Sequence, residues 1–496
     1  MADDMDRREP VDLLFDEAQS NSENSEGLSW WFSGDVFERE AAEEKRARKR
    51  SWTYRLNSHP GRLTTLYFVL LITVVTSLLM LPCATQPGDA TPFHTAFFTA
   101  VSALSTCGIA MVNTTTHWTM FGQGVLIFAV QLGGLGVMTF ASLIALAVNH
   151  HLKATQRLLT ASELGTNKLS EIRGVLTVVL ATSFSIEIIT FIALLPGLLH
   201  VNNNNAGKAL WESLFFAVMA YNNAGFTPDG AGLYVDNWAV GMPIVLSAFC
   251  GTLGFPVILN ILRTARKHQS PRRWNLHTKV TLVTTFAIVL CSLVWFLVVE
   301  WNNQTLFANA DVEAHLRRAV VAAVMPRSSG FDLSWVPEVG EPTKVFMSAV
   351  MFIGGGSTST AGGIRVTTFA VMLLVCKTSF SGHTDITVFH RRIHTKVIMT
   401  AVSITTACFG LVFVASLALM LITGASFTNA LFDSCSAFGL GGYSIGVDTA
   451  THPAALYIMA ATMVVGRLGP MTLAYAVSRP GNIEAVRYPT DEIVVG

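Results

Sequence analysis

Four times along this chain, a short apolar segment runs into a glycine-centred turn and is followed by a longer apolar run. The first copy is Pro92-Phe-His-Thr-Ala-Phe-Phe-Thr-Ala-Val-Ser-Ala-Leu104 leading into Ser105-Thr-Cys-Gly-Ile-Ala-Met-Val112. The others are Leu210 to Ala220 before Tyr221-Asn-Asn-Ala-Gly-Phe-Thr227, Ala314 to Met325 before Pro326-Arg-Ser-Ser-Gly-Phe-Asp332, and Thr428 to Phe438 before Gly439-Leu-Gly-Gly-Tyr-Ser444. The aligned glycines Gly108, Gly225, Gly330 and Gly442 are separated by 117, 105 and 112 residues. A period near that length is the mark of internal duplication. The short apolar segments cannot cross a hydrocarbon core about 30 Å thick, so each reads as a re-entrant helix.

Apolar runs long enough to span lie between the copies, for example Leu63 to Leu81, Val175 to Leu199, Val280 to Val299 and Val397 to Ile422. The second helix of each unit is expected over Trp118 to Val148, Val240 to Leu262, Lys344 to Leu374 and His452 to Val477. With 51% hydrophobic and 13% charged residues, the chain has the composition of a membrane protein. The fold expected is an all-α integral membrane protein: four tandem helix, pore-loop, helix repeats with pseudo-four-fold symmetry around one pore, giving eight spanning helices and four re-entrant pore helices. The boundaries expected are a cytosolic, partly disordered tail over 1–60, repeats over 61–152, 172–270, 278–380 and 394–480, and a cytosolic C-terminal segment over 481–496.

The net charge of zero hides a segregation. Lys and Arg gather in Lys45 to Arg62, Lys153 to Arg173, Arg263 to Lys279 and Arg391 to Lys396, which an even number of spans places on one side with both termini; the positive-inside rule makes that side the cytosol. The tail has no apolar core with a cleavage site, so the first spanning helix is expected to direct insertion. Its basic end serves topology or binds lipid or a partner. The seven cysteines are scattered, without CxxC spacing or a His/Cys cluster, so neither a disulfide framework nor a metal site is expected. Lys344, His277 and His394 read as interfacial.

Non-helical backbone at membrane depth is tolerated only where protein buries it or it lines a wet cavity. Four glycine turns around one axis meet that condition. Glycine lets successive carbonyls point one way, and rings of carbonyls can replace the hydration shell of K⁺. The C-terminal ends of the short helices add negative potential there. The expected ligands are the main-chain oxygens of Thr106, Cys107, Gly108, Asn223, Ala224, Gly225, Ser328, Ser329, Gly330, Leu440, Gly441 and Gly442.

At these residues the chain resembles the Trk/Ktr/HKT superfamily of potassium transporters, over nearly everything after residue 62. The segments that carry the resemblance are Gln131-Leu-Gly-Gly-Leu-Gly136, Tyr221-Asn-Asn-Ala-Gly-Phe226, Pro326-Arg-Ser-Ser-Gly-Phe331, Phe352-Ile-Gly-Gly-Gly-Ser-Thr-Ser-Thr-Ala-Gly-Gly-Ile364 and Gly466-Arg-Leu-Gly-Pro470. With no additional helix pair before the first pore loop, it is most similar to the Ktr type of membrane subunit. The resemblance implies K⁺ uptake across the plasma membrane (a bacterial inner membrane), a homodimer with one pore per protomer, and a cytosolic ring of nucleotide-binding regulatory subunits. K⁺ is then the transported ion, Na⁺ a candidate coupling ion, and no cofactor or nucleic acid is called for. The alternative within the same family is a Na⁺-permeable or Na⁺-coupled transporter: glycine at each filter position goes with K⁺, but Cys107 stands where Thr is usual and Gly441-Gly442-Tyr443 replaces Val-Gly-Leu.

Gly354, Gly355, Gly356, Ser357, Thr358, Ser359, Thr360, Ala361, Gly362 and Gly363 interrupt the second helix of unit three, a composition in which helix does not persist. The run lacks the Gly-Lys-Ser/Thr ending of a phosphate-binding loop. The family resemblance makes it an intramembrane gate, against a static kink. Arg467, alone in the last apolar run, is expected to face the cavity and hydrogen-bond the gate loop, or else to snorkel to the cytosolic boundary. Glu187, Glu300 and Asp433 either tune cation entry or satisfy local hydrogen bonds. An embedded enzyme is disfavoured by the lack of HExxH, GxSxG or paired intramembrane aspartates, and a receptor or scaffold leaves the four turns without a reason. By family likeness, Tyr488 to Gly496 is expected to pack at a two-fold dimer interface, the other reading being rest against its own chain or lipid.

Overall fold

The computed structural model describes residues 60–87, 91–136, 172–228, 237–303, 306, 311–327, 329–331, 335–382, 385–446 and 452–469. They are helical apart from turns and one two-stranded hairpin. Apart from the single turn Thr114–His117, the α-helices in chain order are α1 Pro60–Leu79, α2 Phe93–Ser105, α3 Met120–Leu135, α4 Ile172–Val201, α5 Ala206–Asn222, α6 Trp238–Leu253 and α7 Phe255–Arg266. There follow α8 Leu276–Val299, α9 Val312–Val324, α10 Glu341–Ile353, α11 Val366–Phe380, α12 Thr395–Thr423, α13 Phe427–Gly439 and α14 Pro453–Leu468. The hairpin Thr387–Val388 with Arg391–Arg392 turns at Phe389 and His390, both at positive φ, as a tight hairpin turn requires.

Side-chain caps set several helix starts. Asn205, Asn275 and Ser426 accept from the amides of Lys208, Thr278 and Asn429 to begin α5, α8 and α13. Length and apolarity let Val179–Val201, Leu276–Val299 and Thr395–Thr423 cross a membrane, and α6 with α7, bent by 99° at Gly254, passes that test only as a pair, as a broken span or a re-entrant loop. These spans turn large apolar side chains outward: Ile188, Ile189 and Ile192 on α4, Phe286, Leu290 and Val298 on α8, Phe409, Val414 and Leu421 on α12. Contiguous exposed apolar surface on this scale is what lipid covers.

The short helices form the interior. From Thr95 on, the side chains of α2 are almost all buried, and the C-terminal halves of α5 and α13 are equally enclosed. The second helix of each unit packs on the short helix of the next: α3 on α5, α6 on α9, α10 on α13, and α14 on α2. The packing therefore closes on itself.

In units one, two and four the continuous second helix expected from the sequence is not found. α3 ends at Leu135, α6 at Leu253, α10 at Ile353 and α14 at Leu468, and each is followed by a glycine at positive φ: Gly136, Gly254, Gly354 and Gly469. At Gly136, Gly254 and Gly469 ψ lies between 131 and 146°, a backbone region essentially closed to residues with a Cβ. The expected break in unit three is thus one of four. The tail over 1–59, most of Lys153 to Arg173 and the segment from Pro470 to Gly496 lie outside the described residues.

Candidate ion-conducting site

Three of the short helices stop in the same way. Thr106, Asn223 and Leu440 cap α2, α5 and α13 with φ between 56 and 59° and ψ between 35 and 41°, each two residues before its glycine. The following amides of Cys107, Ala224 and Gly441 reach back to the carbonyls of Ser102, Met219 and Ser436 at 2.8 to 2.9 Å. A left-handed Thr, Asn or Leu costs about 1–2 kcal/mol, so the surrounding packing must hold these turns in shape. In unit three, α9 runs instead into a 3-10 turn, Met325–Arg327, and Ser328 lies outside the described residues.

The four predicted glycines meet. A Cβ on Gly108 would collide with the backbone of Gly225, one on Gly225 would lie 2.7 Å from the Ser329 carbonyl oxygen, one on Gly330 would collide with Gly442, and one on Gly442 would lie 2.6 Å from the Cys107 carbonyl oxygen. Each turn touches the next, and the last touches the first. The C-terminal ends of α2, α5 and α13 all point into this ring, and with them their partial negative charge. Behind it, the buried Tyr443 hydroxyl donates to the Phe331 carbonyl at 3.0 Å, and its ring packs edge-on against Trp335.

The glycine-rich stretch lies directly against these turns. It is non-helical from Gly354 to Arg365, two residues beyond the expected end. Thr360 is its point of attachment: its carbonyl accepts from the Thr106 hydroxyl at 3.0 Å, and its hydroxyl accepts from the Asn223 side-chain amide at 2.6 Å. Both donors are the left-handed caps of short helices. The loop is close-packed on its other sides, since a Cβ on Gly355 would approach Ala361 to 2.5 Å and one on Gly254 or Gly362 would collide with Ser357 or Leu440.

Arg467 does not snorkel. Its guanidinium donates to the carbonyls of Thr360 and Gly133, tying the loop to α3. Sequence reasoning missed two more arginines that hold this loop. Arg327, 1% exposed, donates to the Gly354 carbonyl at 3.1 Å, and Arg365 donates to the carbonyls of Gly356 and Ala361 at 3.3 and 2.8 Å. Only their place beside long apolar stretches could have flagged them.

The embedded acids make local hydrogen bonds. Glu300 accepts from Thr343, the Gly340 amide and Asn303, and Asp433 accepts from Ser444 and the Ile445 amide at 2.9 Å each. Glu187 accepts from Gln131 and Asn222. Lys344 pairs with Glu341 at 2.9 Å. Among the described residues no group of His, Cys, Asp and Glu could hold a metal ion.

The family model for TrkH, a cation transport protein, matches residues 36–483. The chain is 32% identical over 439 residues to the Ktr system potassium uptake protein B of Bacillus subtilis, covering 88% of this chain and 97% of that one. It is 29% identical to the potassium/sodium uptake protein NtpJ of Enterococcus hirae, covering 91% and 99%. The crystal structure of the potassium transporter TrkH from Vibrio parahaemolyticus superposes with a TM-score of 0.64 at 17% identity, over 83% of each chain. A multi-pass helical chain whose sequence matches over almost its whole length belongs to the TrkH family of cation transport proteins, which are transporters and not enzymes.

Proposed function

We propose that this chain is the ion-conducting subunit of a Ktr/Trk-type potassium uptake system. The observation that carries the reading is the closed contact of Gly108, Gly225, Gly330 and Gly442 at the ends of the short helices. In this reading the turns form one pseudo-four-fold selectivity filter, and main-chain oxygens of Thr106, Cys107, Gly108, Asn223, Ala224, Gly225, Ser328, Ser329, Gly330, Leu440, Gly441 and Gly442 take the place of water around K⁺. At the four glycines the turns meet backbone to backbone, with no side chain between them.

Gly354 to Gly363 is the gate. Anchored by Thr106, Asn223 and Arg467, it blocks the passage beneath the filter, and the guanidinium adds an electrostatic barrier to cations. Opening requires these hydrogen bonds to break together, which makes the loop a two-state element. Regulation then comes from outside the membrane. The name of the Bacillus relative, a protein of a Ktr system, supports further components; the family resemblance makes them a cytosolic nucleotide-binding ring, with the chain as a homodimer in the plasma membrane and both termini cytosolic.

Purified protein in liposomes with outward K⁺, Rb⁺ or Na⁺ gradients tests the reading. Flux of K⁺ and Rb⁺ well above Na⁺ is the expected result; equal Na⁺ flux, or K⁺ flux that requires Na⁺, selects the sodium-permeable or sodium-coupled alternative that the name of the Enterococcus relative supports. No cation flux in either direction, even from a chain lacking Gly355 to Ala361, would sink the pore.

A further inference from the structure

α4 is apolar and of spanning length, yet Glu187 sits near its middle. Ile188, Ile189 and Ile192 beside it face outward, while Glu187 is 6% exposed and faces inward. An intramembrane carboxylate is expensive and in general marks function. Among the described residues no ammonium or guanidinium pairs with it. Its Oε1 instead accepts from two neutral amides: Gln131 Nε2 on α3 at 3.0 Å and Asn222 Nδ2 on α5 at 3.2 Å. Gln131 Oε1 accepts from that same Asn222 nitrogen at 2.9 Å, and so does the Val218 carbonyl. Three side chains from three helices thus form a closed triangle around one amide. Asn222 Oδ1 is buried without a partner and pressed against Gly134, where a Cβ would collide with it.

Asn222 is the last residue of α5, immediately before the left-handed cap of the second glycine turn. That cap, Asn223, accepts from the Ser329 hydroxyl at 2.7 Å and donates to Thr360. Rotating Asn222 would therefore move the turn, its contact with the third turn and its anchor on the loop. The corresponding positions in the other three units are Ser105, Arg327 and Gly439, and none of them bonds to a carboxylate: the Ser105 hydroxyl has no partner, Arg327 holds Gly354, and Gly439 has no side chain. One turn in four is braced by an acid from an outer helix.

We propose that Glu187 is a positioning residue that sets ion specificity: by holding the Asn222 amide, it fixes the direction of the carbonyls at Asn223, Ala224 and Gly225. The inference rests on the pore reading above. Hydrogen-bond acceptance and not charge is what the triangle uses, because both donors are neutral amides.

The test is the ratio of Rb⁺ to Na⁺ uptake by the full chain in liposomes, with thermal stability in detergent measured alongside. Glu187→Gln keeps an oxygen of the same reach and is expected to hold the ratio within about two-fold, whereas Glu187→Leu takes the acceptor from Gln131 Nε2, frees the side chain that holds Asn222, and lowers the ratio about tenfold, or about 1.4 kcal/mol. A ratio in Glu187→Leu equal to that of the parent chain overturns the proposal. If that variant gives no folded protein, Gln131→Met, which removes one side of the triangle, replaces it: a lowered ratio supports the brace and an unchanged one refutes it. Failure to conduct by both the parent chain and one lacking Gly355 to Ala361 would count against the pore itself, so the two failures are distinguishable.

Discussion

Unit three and its three companions solve the same packing problem differently. In units one, two and four the second helix carries a glycine three residues before its break, Gly133, Gly251 and Gly466. A Cβ at any of them would collide with the carbonyl of a short-helix residue, Leu104, Tyr221 and Phe438 respectively. Helix backbone rests on helix backbone. In unit three that position is Met351, whose own carbonyl faces Gly439 of the next unit, and the chain beyond it leaves the helix for twelve residues of loop before α11 begins. Where glycine permits contact, helix rests on helix; in unit three a non-helical segment follows, held by close packing and by hydrogen bonds to Thr106, Asn223, Arg327, Arg365 and Arg467. On the proposed gate reading, unit three is the mobile unit and the other three are fixed.

The sharpest way to break this comparison is to give a fixed unit the side chain of the mobile one. Gly251→Met drives a side chain into the Tyr221 carbonyl, and we expect loss of cation flux together with loss of the monodisperse peak on size exclusion. Retained flux would show that the close approach is dispensable. Deleting Gly355 to Ala361 should act in the opposite direction, raising Rb⁺ flux about tenfold if the loop imposes a barrier of about 1.4 kcal/mol. Unchanged flux would leave the loop a static kink. Arg467→Ala removes one clamp while leaving Thr106 and Asn223 on Thr360, so a smaller rise of about three-fold is expected in the same assay, corresponding to less than 1 kcal/mol. Met351→Leu keeps volume at a position that already bears a side chain, and it should cost under about 1.5 kcal/mol and leave flux near the parent value. A drop as large as that of Gly251→Met would erase the distinction between the units.

Much of this was legible from residue pattern. Apolar runs gave the three helices of spanning length, Val179–Val201, Leu276–Val299 and Thr395–Thr423, and the four turns stood out because a short apolar segment followed by glycine has few other uses at membrane depth. The Gly354 to Gly363 stretch was visible because five glycines overwhelm any helix preference. The breaks at Gly136, Gly254 and Gly469 were not, because a single glycine beside leucine in an apolar run reads as helix packing, and only its backbone angles reveal the turn. Arg467 was conspicuous in isolation, whereas Arg327 looked like part of a motif and Arg365 like the end of one. Their partners are main-chain carbonyls, which leave no trace in residue identity. The Glu187 triangle joins residues 131, 187 and 222, and separations of that kind are invisible to periodicity. The expected docking of Tyr488 to Gly496 lies outside the described residues and stands as a proposal: removing Ile493 to Gly496 should weaken the dimer in native mass spectrometry.

Because the ring of touching glycines is written into one polypeptide, each of its members has a codon of its own. A channel assembled from identical subunits changes all its copies with one nucleotide substitution and keeps its symmetry; here a substitution alters a single quadrant and leaves three. Such a gene offers four separate targets for inactivation, since a side chain at Gly108, Gly225, Gly330 or Gly442 meets neighbouring backbone. It also lets the quadrants diverge, one acquiring an acid brace and another a long loop, without the other three having to accept the same change.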